Sequence, residues 1–240
     1  MNKAERMALI VARRRAAEGW ATTETPTTPR AYRAIGDFHD RAYECEHVSP
    51  VSIAAHNLDA KVMLMGQDWD SEKGCEREPR RPVRGYDPKL ATNIFLDTLL
   101  EKTFGLERCD VFFTNLFPFV KPGGMSTTIP TADLTRAALE FALPQVEIVG
   151  PKVVVCFGLA TYNALAAATG VETQGSVAAA LGRPFKLVSS SAMVWCQSHP
   201  GHWGRHARVK VGGAGQVERD WMTMKELLGL GKAVGVTAPA

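Results

Sequence analysis

The run Val153-Val154-Val155-Cys156-Phe157 constrains this chain more than any other stretch. It is apolar at both alternating positions and rich in β-branched residues, the pattern of a strand covered on both faces and so of a sheet with helices on each side. The candidate strand spans 151–157, and Gly158 opens a helix over 160–168. Three shorter apolar segments read as further strands: 61–65 running into Gly66, 111–116, and 193–197. Between and after them lie helical stretches at 88–104, 132–149 and 217–228; the first carries Leu90, Ile94, Phe95, Thr98 and Leu99 at helical spacing and stops at Gly105. Strand and helix alternate, so the expected fold class is α/β with a mainly parallel four-stranded sheet. Right-handed crossovers then deliver the loops after successive strands to one edge, where ligands of open α/β sheets bind.

The 240 residues fit one large core. Residues 3–19 read as a basic helix and 22–29, rich in Thr and Pro, as a linker, so 1–30 is expected as an appendage to a domain over 31–240 that begins with a second helix at 31–43. A net charge of +3 permits a polyanionic partner without demanding one. No apolar run approaches the roughly 20 residues of a membrane span, and Arg13, Arg14 and Arg15 leave no room for a signal-peptide core. The expectation is a cytoplasmic monomer, nucleoid-associated if bacterial, with no membrane partner. The five cysteines form no CxxC pair, which points away from a zinc ribbon or a disulfide framework, and Cys156 reads as a small buried hydrophobe.

Chemistry concentrates where the strands end. Their first loop residues are Gly66-Gln67-Asp68-Trp69, Asn115, Gly158 and His199-Pro200-Gly201. A carboxylate, an amide and an imidazole reaching one crevice supply a general base, a group that both donates and accepts, and a hydrogen-bond donor. Taken singly, Asp68 reads as a helix N-cap or turn residue, Asn115 as a turn residue, and His199 as a histidine satisfying local backbone.

Taken together, the motifs Gly66-Gln67-Asp68-Trp69-Asp70, Thr114-Asn115, 153–158 and His199-Pro200-Gly201-His202-Trp203-Gly204 resemble, in order, those of the uracil-DNA glycosylase superfamily. The resemblance covers roughly residues 61–208 and implies a three-layer α/β/α sandwich that flips uracil out of DNA, single- or double-stranded, and hydrolyses its N-glycosidic bond without a cofactor or metal. It gives Asp68 the positioning of water and the stabilisation of an oxocarbenium-like cation. It gives His199 donation to uracil O2 as negative charge grows there. Asn115 would read the edge of the base, accepting from N3–H and donating to O4, with Gly66, Gln67 and Trp69 completing the base pocket. Trp203 falls where the family carries a wedge that fills the gap in the stack. Gly158, Ser198, Pro200 and Gly201 are expected along the DNA, as is Gly204; Arg205, His206 and Arg208 add positive charge there. Lys121 and Gly123, in Lys121-Pro122-Gly123-Gly124, look like a second phosphate-facing loop, and the basic stretch 77–84 reads as a third DNA-facing loop or a solvated charge run.

The resemblance fails in places. Asp70 stands where the uracil-specific branch has the tyrosine that walls off C5, so either Trp69 forms that wall or the pocket is more permissive there. The aromatic that stacks under uracil has no clear counterpart; Tyr86 and Val83 lie in the right interval. Phe119 stands in place of a cluster cysteine, which predicts no iron-sulfur cluster, and Asp68 differs from the asparagine of the mismatch-specific branch. A catalytically silent DNA- or base-binding module on the same fold is the alternative. A nucleotide hydrolase or kinase lacks its GxxxxGK[ST], GxGxxG or GxSxG.

Overall fold

A computed structural model describes residues 1–16, 20, 32–77 and 86–229. Five strands, β1 (Val62–Gly66), β2 (Phe112–Asn115), β3 (Val153–Phe157), β4 (Phe185–Lys186) and β5 (Met193–Gln197), form one sheet in the order β2-β1-β3-β5-β4. The first three and β5 are parallel. The expected four strands are therefore joined by a fifth, two-residue β4, antiparallel on the β5 edge.

The helices are α1 (Lys3–Ala16), α2 (Glu72–Cys75), α3 (Ala91–Phe104), α4 (Thr131–Ala137), α5 (Leu143–Val149), α6 (Leu159–Ala168), α7 (Val177–Leu181), α8 (His202–Gly212) and α9 (Gln216–Leu227). A π-turn at Ala138–Ala142 joins α4 to α5, so the single helix expected there is continuous but locally widened. Alternation along the strands sorts side chains into two layers. Met63, Met65, Val154, Cys156, Val194 and Cys196 pack with α1, α4, α5 and α6. Val62, Leu64, Val153, Val155 and Trp195 pack with Leu96, Leu99 and Leu100 of α3 and with Val217, Trp221 and Met224 of α9. This is a three-layer α/β/α sandwich.

Two expectations at the N-terminus are corrected. Helix α1 is no appendage: Met7, Ile10 and Val11, spaced to share one face, lie buried in the main core. The linker at 22–29 lies outside the described residues. The helix expected over 31–43 is replaced by two short 3₁₀ turns at Ile35–Asp37 and His39–Arg41. Arg33 pairs with Val120 as an isolated β-bridge, which holds the chain extended before the turns. His39, Asp40 and Arg41 take positive φ values of 47°, 50° and 68°, incompatible with a right-handed helix.

The fold creates the crevice by its connections. After β1 the chain crosses by α3 on one face; after β2 it returns by α4 and α5 on the other. The strand order thus reverses beside β1 and β3, and the crevice opens outside their carboxyl ends.

Candidate active site

Asp68 follows β1 directly, and its side chain is 7% exposed. Gln67 Nε2 donates to its Oδ2 at 2.8 Å. Lys121 Nζ lies 3.2 Å from Oδ1 and 3.4 Å from Oδ2, with its own side chain 5% exposed. Burial pushes the Asp68 carboxyl above the usual carboxylate range, against the opposing pull of the Lys121 ammonium and the Gln67 amide; the Asp70 charge adds to the push.

Asn115 ends β2 beside Gly66, its register partner across the two strands. Its Nδ2 donates to the Asp68 carbonyl at 3.0 Å and its Oδ1 accepts from Ser49 Oγ at 2.5 Å. A carbonyl only accepts, so the amide orientation is determined: NH₂ toward Asp68, oxygen toward Ser49. Gly66 makes room for it, since a Cβ there would stand 2.5 Å from Asn115 Nδ2.

His199 follows β5 and is exposed to the crevice, with Phe157 packed edge-on behind it at 6.2 Å between ring centres. The Gly201 amide donates to His199 Nδ1 at 2.9 Å. That nitrogen is therefore the acceptor, and the neutral ring carries its proton on Nε2. Desolvation, and then the Lys121 charge, lower the His199 pKa, so the ring is neutral at neutral pH.

The loop after β5, whose glycines were expected along the DNA, runs at once into a helix. Gly201 caps α8, which starts at His202. Gly204 lies inside that helix, where a Cβ would come within 2.3 Å of the His199 carbonyl, so its role is close packing of α8 against His199. Ser198, Pro200 and Gly201 are buried. Trp203 is 81% exposed in the first turn of α8. Arg205 stacks its guanidinium on Phe95 at 4.5 Å, and Arg208 is held by both carboxylate oxygens of Asp220 at 2.6 and 2.9 Å. His206 is exposed and stacks with His202.

The Lys121-Pro122-Gly123 segment is also placed differently. Lys121 turns inward to Asp68, and the Gly123 amide donates to Glu72 Oε2 at 2.8 Å, which leaves that N–H unavailable to a phosphate. The Gly158 amide is likewise engaged, by the Gln197 carbonyl at 2.8 Å, while its φ of 90° turns the chain from β3 into α6. Trp69 is half-buried against Tyr43, ring centres 5.0 Å apart, within a cluster that includes Phe38 and Val120. Asp70 folds back to accept from the Ser71 amide at 2.7 Å. Tyr86 is tied to α3 by a 2.8 Å bond to Asp97 and lies under Arg108. Val83 and residues 78–84 of the basic stretch lie outside the described residues. Among the described residues no three His, Cys, Asp or Glu side chains gather to hold a metal ion, and no helix is long and apolar enough to cross a membrane.

The structure thus brings Asp68, Asn115 and His199 to one sheet edge and adds two residues the sequence did not single out for these roles, Ser49 and Lys121. Their partners lie 66 and 53 residues away in the chain, and no local pattern signals such pairings.

The model of the uracil DNA glycosylase superfamily matches residues 53–211, well over half of the chain. The protein belongs to that superfamily. A search of curated proteins gives no match.

Proposed function

We propose that this protein is a DNA repair glycosylase that flips uracil, or a related deaminated or modified base, out of DNA and hydrolyses its N-glycosidic bond to leave an abasic site. The observation that carries this reading is the Gly201–His199 hydrogen bond, which fixes a neutral imidazole with an Nε2–H donor at the sheet edge that also bears Asp68 and Asn115. A neutral donor is suited to meeting charge that appears on uracil O2 only as the bond breaks, so it favours the transition state over the bound substrate. Asp68 faces the sugar, where its carboxylate stabilises the developing cation and orients the water that attacks C1′. Asn115 reads the base: one N–H remains for O4 after the bond to Asp68, and one lone pair remains for N3–H after the bond to Ser49. Trp203, exposed in the first turn of α8, enters the stack.

The test is a gel assay of purified protein on labelled oligonucleotides bearing U, T, hypoxanthine or 5-substituted uracils, followed by alkali. Strand breaks at U and none at T support uracil excision. Binding without breaks on every substrate refutes catalysis and leaves a base-binding module.

A further inference from the structure

Lys121 is held in the crevice by its backbone as well as by its charge. Its amide donates to the Asp70 carbonyl at 3.3 Å, its carbonyl accepts from the Glu72 amide at 2.9 Å, and the residue pairs with Ser71 as a parallel bridge. The segment that carries Lys121 is therefore zipped to the segment that follows Asp68, and the ammonium has little choice of position. The whole residue is 4% exposed. A lysine that bound phosphate would keep its head in water; this one spends it on a buried carboxylate.

The location has a chemical consequence. A carboxylate in a dry crevice takes up a proton unless a cation compensates for the lost water. The charged groups acting on Asp68 are Lys121, which favours its ionisation, and Asp70, which opposes it; Gln67 contributes a neutral donor. The same ammonium opposes a positive charge on His199. The cation therefore favours the anionic Asp68 that the glycosylase reading requires, while the bond from the Gly201 amide keeps His199 Nδ1 an acceptor.

We propose that Lys121 is the positioning residue of this site: its ammonium holds Asp68 in place as a carboxylate, and so sets the acid limit of activity. This rests on the glycosylase reading for its catalytic consequence, but the link between Lys121 and Asp68 is testable without turnover. The first experiment follows the aspartate carboxyl ¹³C resonances through a pH titration, with Asp68 assigned by its absence in Asp68→Asn. In Lys121→Met the Asp68 midpoint moves upward by about one pH unit or more, which corresponds to a roughly tenfold change in the ionisation constant. The second measures excision of uracil against pH. The acid limb of kcat moves up with the Asp68 midpoint, activity recovers as pH rises, KM for DNA stays within about twofold, and Lys121→Arg restores much of the parent profile. In an Asp68→Asn background the Lys121 substitution has almost no further effect, because it acts through that carboxylate. Should Lys121→Met fail to fold, Lys121→Gln keeps a donor without the charge and carries the same test.

An unmoved Asp68 titration overturns the proposal. So does a raised KM with a shallower salt dependence and an unchanged pH profile, which makes Lys121 a phosphate contact. A borohydride-trapped adduct with abasic DNA that disappears in Lys121→Met overturns it as well, by making the amine a nucleophile. If Asp68 shifts as expected but the parent excises no base, the positioning link stands and the glycosylase reading falls.

Discussion

Ser49 Oγ donates to Asn115 Oδ1 at 2.5 Å, and both side chains are buried. The bond fixes the orientation of the Asn115 amide, because the same amide is held on its other side by the Asp68 carbonyl. Ser49→Ala removes a donor from a buried oxygen, at a cost of about 1–3 kcal/mol. The expected result is a loss of roughly tenfold in kcat/KM on uracil and a smaller preference for uracil over cytosine, read on oligonucleotides in a fixed context. An unchanged preference would mean that Asn115 is oriented without Ser49.

Asn115→Asp places an oxygen opposite the Asp68 carbonyl, where only a protonated carboxyl can bond. Ionised, the new group repels both that carbonyl and a departing anion. Weak excision of cytosine is expected, rising as pH falls, together with a diminished rate on uracil. A variant that keeps full discrimination and the parent rate across a pH series shows that residue 115 does not face the base.

In the proposed reaction Asp68 has to be ionised to stabilise a cation, and its pKa lies above the usual carboxylate range. Activity therefore rises with pH through a limb displaced upward from the ordinary aspartate value of about 3.9, and it is lost as pH falls through that limb. Asp68→Asn should abolish the limb and lower kcat by on the order of 10²–10³-fold while duplex binding stays close to the parent. A near-parent rate in this variant removes Asp68 from the chemistry.

Gly204→Ala tests the packing of α8 on His199. In an ordinary helix interior the change stabilises by about 0.5–1 kcal/mol. Here the added Cβ lies 2.3 Å from the His199 carbonyl and 2.8 Å from its Cβ, so one of the two must move. Overpacking costs about 1–3 kcal/mol, and the net effect should be destabilising. Thermal unfolding should show a lower Tm, and kcat should fall with it; a raised Tm would contradict the close approach.

Trp203→Ala should leave stability within about 0.5 kcal/mol, since a side chain 81% exposed contributes little to the core. Excision from duplex DNA should fall more than excision from single strands, where no stack has to be held open. Equal losses on both substrates would assign Trp203 to the base pocket instead.

The parallel strands were legible because strands buried on both faces are written as uninterrupted apolar runs. The last was read at its full extent, Met193–Gln197, and the first within one residue of Val62–Gly66. Helix α8 was missed for the opposite reason: none of its residues is buried, so it carries no apolar stripe, and Gly204 reads as loop. The two-residue β4 is too short to leave a periodic signal. In α1 the spacing of Met7, Ile10 and Val11 was present, but the arginines around it drew attention to charge. Arg14 is in fact fully buried and paired with Glu44. That Asp68, Asn115 and His199 share one sheet edge was legible because each stands at the end of a readable strand. The direction of Lys121 was not, because a lysine near glycines looks the same whether it faces water or a buried carboxylate.

The matched span begins at residue 53 and stops at 211, whereas the folded unit extends past it at both ends. Ser49, which orients Asn115, and Tyr43, which braces Trp69, precede the span. Asp220, which clamps Arg208, and Trp221, which stacks with Phe157 behind His199, follow it. A fragment trimmed to the shared signature would keep Asp68, Asn115 and His199 together with Lys121 and Gly201, but lose Ser49 behind Asn115 and Trp221 behind Phe157. Grafting those strand ends onto another α/β scaffold would carry Asn115 across without the hydroxyl that orients it.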